Sequence, residues 1–218
     1  MIGLIFGPPG SGKGTQAAHI EREFKLLHLS TGDILREEVA RGTAIGKEVA
    51  RIMAAGDLVP DDVIIRIVQG ILRDPDVSSD LLLDGFPRTL EQARALDGML
   101  AQEGHRVDFV LALDVPESEL VERILHRAAV EGRADDVREA IAERMHEYHT
   151  FTHAVLDHYR KQGVRVEVVD GTGDVDDVFR RVQFERRQAD SRSLCYPPAP
   201  WSRRAWVISM WRGIPIRA

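Results

Sequence analysis

Residues 7 to 15 read Gly7-Pro8-Pro9-Gly10-Ser11-Gly12-Lys13-Gly14-Thr15. They follow an apolar run, Ile2 to Phe6, and precede a helical pattern from Gly14 to Phe24. Strand, glycine-rich loop and helix together form the context of a phosphate-binding loop. Glycines let successive backbone N–H groups turn toward an anion, because no Cβ blocks the approach. The helix N-terminus adds partial positive charge at the same point. Lys13 would reach the outer phosphates as a point charge. The usual pattern G-x-x-x-x-G-K-[ST] is broken once: Gly14 stands where Ser or Thr is expected, and Thr15 follows one place later. A glycine-rich turn beside a chance lysine is the competing reading, and loop length, flanks and lysine all argue against it.

Such a loop is built into α/β sheets, and the rest of the chain supports one. Apolar runs at Leu26–Leu29, Leu81–Leu83, Phe109–Leu113 and Val164–Val169 join the first run as five short segments. Between them lie helical patterns at 34–40, 44–55, a stretch capped by Asp61, one capped by Thr89 that ends at Glu103, 116–129 and 137–162. Asp174 opens a last helix to about Phe184. Short strands alternating with helices predict right-handed βαβ units and a five-stranded parallel sheet flanked by helices. Ligands in such sheets bind outside the carboxyl ends of the strands. The glycine loop after strand 1 and Asp84-Gly85-Phe86-Pro87-Arg88 after strand 3 belong to that edge.

Composition narrows the function. The chain of 218 residues is 44% hydrophobic and carries a net charge of −6, which gives no electrostatic case for nucleic acid. Residues 185–218 hold seven arginines against Glu185 and Asp190, a net +5, which leaves −11 for the remainder. The single cysteine, Cys195, allows no internal disulfide and fits a reducing compartment. The start has no basic region before its apolar run, unlike a signal peptide, and no apolar run of 18 residues predicts a membrane span.

Five motifs together resemble adenylate kinase. They are Gly7 to Thr15; Ser30-Thr31-Gly32-Asp33 with Arg36; Gly56-Asp57-Leu58-Val59-Pro60; Asp84 to Arg88 with Gln92; and Gly132-Arg133-Ala134-Asp135-Asp136. They occur in the family's order and spacing, over about residues 1–184, and the Gly14-Thr15 departure is the family's own. The resemblance implies a P-loop kinase with Mg2+-dependent, reversible transfer, ATP + AMP = 2 ADP. It implies that residues 30–59 form a small AMP-binding segment and 126–136 a short lid.

Residue by residue, the resemblance gives ATP to Gly10, Ser11, Gly12, Lys13, Gly14, Thr15, Arg127 and Gly173. It gives AMP to Thr31, Arg36, Asp57, Leu58, Val59, Gly85, Phe86, Pro87, Arg88, Gln92, Arg133 and Arg144. Lys13, Arg88, Arg127, Arg133 and Arg144 are the expected catalytic set. This suits the chemistry, since phosphoryl transfer needs in-line positioning, charge neutralisation and exclusion of water. Guanidinium groups offer phosphate two donors and stay charged. Asp84 is expected to hold water around Mg2+, or alternatively to cap the entry of a helix. Asp135 and Asp136 are expected to orient arginines or cap the helix from Val137.

No cysteine lies near 126–136, so no structural zinc is expected. His126, His146, His149, His153 and His158 are crowded but lack a convergent carboxylate motif, and read as solvated or packing residues. Gln92 and Thr31 would read the acceptor base. The UMP/CMP kinases, which share the loop and the arginines, remain the nearest rival, and a silent nucleotide-binding protein a more distant one. The resemblance further implies a monomer, and the cysteine count, net charge and lack of a long apolar run lead to the expectation of a cytoplasmic protein with no membrane or nucleic-acid partner. The Arg/Trp/Pro-rich tail, 185–218, departs from the family and is expected to be a disordered appendage, with a membrane-surface or nucleic-acid contact as the competing reading of its interleaved Arg and Trp.

Overall fold

In the computed structural model, five parallel strands pair in the order β2-β3-β1-β4-β5: β1 (Ile2–Phe6), β2 (Leu27–Ser30), β3 (Leu81–Asp84), β4 (Phe109–Asp114) and β5 (Arg165–Asp170). The structure describes residues 1–74, 77, 80–131 and 138–192, with side chains apart from those of 130, 131, 138, 139 and 184–192. The described helices are α1 (Lys13–Phe24), α2 (Thr31–Arg41), α3 (Ala44–Ala55), α4 (Asp61–Leu72), α5 (Leu90–Gln102), α6 (Glu117–Glu131), α7 (Arg138–Lys161) and α8 (Val175–Arg192). This is the expected α/β fold.

Both faces of the sheet are covered, which is why its strands are apolar without alternation. Successive side chains of a strand point to opposite faces. Leu4 and Phe6 of β1 therefore join Leu83, Val110 and Ala112 in a core closed by α4, α5 and α7. Ile5 joins Leu82, Leu111 and Leu113 in a second core closed by α1 and α8. A third cluster, Leu120 and Ile124 with Ile141 and Met145, fastens α6 to α7.

β1 lies between β3 and β4, with Ile2 opposite Leu81 and Gly3 opposite Phe109. From β1 the chain winds to β2 on one side, and later from β3 across to β4 on the other. The glycine loop thus leaves the sheet where the winding reverses, the usual place for a ligand crevice.

Element boundaries shift slightly from expectation. Asp61 is the first residue of α4 instead of its cap, because Pro60 takes the cap position. The last helix runs to Arg192, eight residues beyond the expected end near Phe184. Residues 193–218 of the tail lie outside the described residues, as do Arg133, Asp135 and Asp136 of the lid motif.

Candidate active site

The glycine loop is shaped as an anion cradle. Gly12 occupies the N-cap of α1 at φ 86°, and no side chain caps the helix. A Cβ on Gly12 would meet nothing within 4 Å but would strain the left-handed backbone, so glycine is required by conformation. The Ser11 hydroxyl is buried and has no hydrogen-bond partner among the described residues. Buried polar groups are ordinarily satisfied, so an orphaned hydroxyl in an anion cradle fits a nucleotide phosphate.

Lys13 folds back over the loop. Its Nζ donates to the carbonyls of Gly7 at 2.7 Å and Pro8 at 3.0 Å. Burial pushes its ammonium down to about 8; Asp84 opposes this, while Arg88, Arg144 and Arg127 add to it. The charges of Asp84, Arg88, Arg144 and Arg127 therefore all reach the Lys13 ammonium. Arg133, the fifth expected cation, lies outside the described residues.

A pH dependence follows. kcat/KM for ATP reports groups of the free enzyme, so it is expected to fall above about pH 8 as Lys13 loses its proton. An ordinary lysine would hold its charge to about 10.4. kcat under saturating nucleotide is expected to hold to higher pH, because bound phosphate favours the ammonium. In the same window the unliganded protein gains stability, since the unfolded chain still holds a proton that the folded chain has released. A flat kcat/KM profile from pH 7 to 10 would contradict the assignment.

Two clefts share Leu58, Gly85, Arg88 and Arg144, and the second of them reaches the loop at Gly7, Pro9 and Lys13. The first, about 560 Å³, is lined by Thr31, Arg36, Asp57, Leu58, Val59, Gly85, Arg88, Gln92 and Arg144, nine of the twelve expected acceptor residues. The second, about 590 Å³, joins Lys13 to Phe86, Pro87, Arg88, Arg144, Glu147 and Tyr148. Phe86, 2% exposed, also packs into the larger core. Arg88 and Arg144 border both clefts. Arg88 is aimed by its Nε, which donates to Gly85 O at 2.9 Å. Arg36 Nη2 donates to Asp33 Oδ1 at 2.5 Å.

The first cleft is closed by the α2–α3 hairpin. Gly56 ends α3 at φ 89°, and a Cβ there would stand 2.6 Å from Ala140 O of α7. Only a glycine lets the hairpin seat so closely on the helix that carries Arg144.

Asp84 ends β3 at 8% exposure, and its Oδ2 stands 4.0 Å from where a Cβ of Gly14 would be. His28 Nε2 lies 3.4 Å from the same oxygen. The carboxylate therefore faces the loop. Among the described residues no group of three or more His, Cys, Asp or Glu could hold a metal by itself. One carboxylate beside a phosphate cradle nevertheless suits Mg2+, which keeps several waters and takes its other ligands from substrate phosphates.

A sequence-family model described as "Adenylate kinase" matches residues 5–164. The chain belongs to the adenylate kinase family. It is 45% identical over 179 residues to an adenylate kinase of Stenotrophomonas maltophilia (strain K279a), covering 82% of this chain and 95% of that protein. It is 48% identical to one of Micrococcus luteus, over 82% and 87% of the respective chains, and 46% to one of Nocardioides sp. (strain ATCC BAA-499 / JS614), over 82% and 93%. Its activity is that of an adenylate kinase, ATP + AMP = 2 ADP.

Some residues around this adenylate kinase site carried no sequence signal. Glu147 borders the second cleft, its Oε2 buried without a hydrogen-bond partner among the described residues. Burial, and next Glu143, push its carboxyl above the ordinary value. Arg123 donates to Gly171 O at 3.1 Å, tying α6 to the loop that holds Gly173. Asp61 was legible only as a helix-entry acid. It accepts from Thr89 Oγ1 at 2.7 Å and from Gln92 Nε2 at 2.6 Å. Of the histidines, His158 meets Asp97 at 2.7 Å, while His146, His149 and His153 are exposed.

Proposed function

We propose that the glycine loop holds the ATP polyphosphate and that the first cleft holds AMP, with the phosphoryl group passing between them in the second cleft. The carrying observation is that Arg88 and Arg144 border both clefts, while Lys13 borders the second. The ATP polyphosphate and the AMP phosphate, approaching from opposite sides, would meet at these three cations. The chain's work is then positioning and electrostatic stabilisation, since the transferring group spreads its charge over its oxygens.

In this reading Arg36 and Arg88 take the AMP phosphate. Arg127 and Arg144, with Arg133, take the transferring group. Backbone N–H groups of Gly10 to Thr15 take the β-phosphate side, and Gly173 borders the ATP base. Asp84 holds water in the sphere of Mg2+, which supplies charge neutralisation on the phosphate oxygens when bound. Leu58 and the backbone of Asp57 to Val59 floor the base pocket. Thr31, 2% exposed, and Gln92, also 2%, present polar groups to the base. Residues 30–59 are the moving cover on the acceptor side, and the lid expected at 126–136 lies partly outside the described residues. A cytoplasmic monomer is the accompanying proposal, and no nucleic acid or membrane partner is invoked.

The acceptor base provides the test. A glutamine amide offers a donor and an acceptor side by side, which matches the amino and ring-nitrogen edge of adenine. AMP is expected to exceed UMP and CMP by at least roughly 100-fold in kcat/KM, about 2.7 kcal/mol, because a mismatched base leaves polar groups unpaired. Coupled assays with ATP and each monophosphate measure this directly. Equal kcat/KM for AMP and UMP would reassign the acceptor while leaving the phosphoryl chemistry unchanged.

A further inference from the structure

Gln92 is built to be unable to turn over. Its Oε1 accepts from the backbone N–H of Arg88 at 2.7 Å, and its Nε2 donates to Asp61 Oδ1 at 2.6 Å. Both partners are chemically one-sided: a backbone N–H can only donate, and an ionised carboxylate can only accept. Rotating the amide by half a turn would set donor against donor at Arg88 and acceptor against acceptor at Asp61. Asp61 is itself held by Thr89 Oγ1 at 2.7 Å. The Thr89 hydroxyl in turn accepts from Gln92 N at 3.2 Å, which closes the ring of contacts around the first turn of α5. Gln92 borders the base cleft, whereas Asp61 is not among the residues lining it.

From this geometry we infer that Asp61 is a specificity-determining positioning residue. It fixes which way the Gln92 amide faces, and so selects a 6-amino purine over a 6-oxo purine. Each amide atom uses one position on the protein and keeps one for the ligand: Oε1 a lone pair, Nε2 a hydrogen. Adenine presents a donor at its 6-amino group and an acceptor at N1, which pairs with that edge in the held orientation. A 6-oxo purine presents the opposite order, an acceptor at position 6 and a donor at N1. It would fit only if the amide turned over, and Asp61 with the Arg88 N–H forbids that. This rests on Gln92 reading the acceptor base.

The test is the ratio of kcat/KM for AMP to that for inosine monophosphate, measured on one preparation of each variant. Such a ratio does not depend on the fraction of active protein, so a loss of stability alone cannot move it. In Asp61→Ala the ratio is expected to fall by about tenfold or more, since a turned amide would then oppose only the Arg88 N–H and no longer the Asp61 carboxylate as well. Asp61→Ser, too short to reach Gln92, is expected to do the same and serves should the alanine variant fail to fold. KM for ATP is expected to be unchanged in both variants.

An unchanged ratio in Asp61→Ala or Asp61→Ser would overturn the inference and leave Asp61 as a structural acid at the head of α4. Gln92→Leu separates the two levels. If it keeps the wild-type ratio, Gln92 does not read the base, and both the acceptor reading and the role of Asp61 fail. If it loses the ratio while the Asp61→Ala and Asp61→Ser variants keep it, only the role of Asp61 fails.

Discussion

Lys13→Met is expected to lower kcat by several orders of magnitude while the protein stays folded. Removing a charge contact made in the transition state commonly costs roughly 3–5 kcal/mol. The fold is expected to survive because the ammonium is held at a desolvation cost, seen in its downward shift to about 8. Methionine relieves that cost and occupies similar volume. The carbonyls of Gly7 and Pro8 lose a donor in exchange. Single-turnover rates, with circular dichroism and Tm on the same sample, test the prediction. Wild-type turnover would remove the glycine loop from the chemistry.

Arg88→Met is expected to lower kcat/KM for AMP by about a thousandfold, about 4 kcal/mol, while KM for ATP changes little. The effect is large because the guanidinium borders both clefts, and so serves acceptor binding and transfer together. Arg88→Lys is expected to recover only part of the loss, because a point charge cannot reproduce the planar fork. Initial rates against AMP at saturating ATP measure the effect, and the converse titration isolates the ATP side. Equal losses on both sides would place Arg88 in general charge balance instead of acceptor binding.

The parts of this site that were legible in the sequence are local. A glycine loop announces itself because strand, loop and helix are contiguous, and Gly12 marks a backbone angle that few other residues tolerate. The strands were legible because burial on both faces removes polar alternation from Leu81–Leu83 and Phe109–Leu113. Contacts between distant residues were not legible. Asp61 meets groups 28 and 31 positions away, and Arg123 meets one 48 away, with no motif joining them. At Asp61 the sequence offered a plausible local role, helix entry, which hid the long-range one. Strand order was likewise hidden, since alternating strands and helices are compatible with several windings. The extension of α8 to Arg192 was missed because the charged run from Glu185 breaks the apolar stripe on which helix recognition depends.

The central position of β1 has a consequence for biosynthesis. Ile2 pairs with Leu81 and Gly3 with Phe109, so the first strand to leave the ribosome has no neighbour until residues near 81 and then 109 have been made. At roughly 5–20 residues per second, that second partner arrives about 5–20 s later. Until then Ile2-Gly3-Leu4-Ile5-Phe6 is an apolar strand with both edges unpaired, the kind of segment that invites aggregation. Pairing across such sequence separations is also slow, because loop closure precedes any gain from contact. The position that sets the phosphate cradle at the centre of the sheet therefore delays its completion until β3 and β4 have been made, and leaves β1 with both edges open in the meantime.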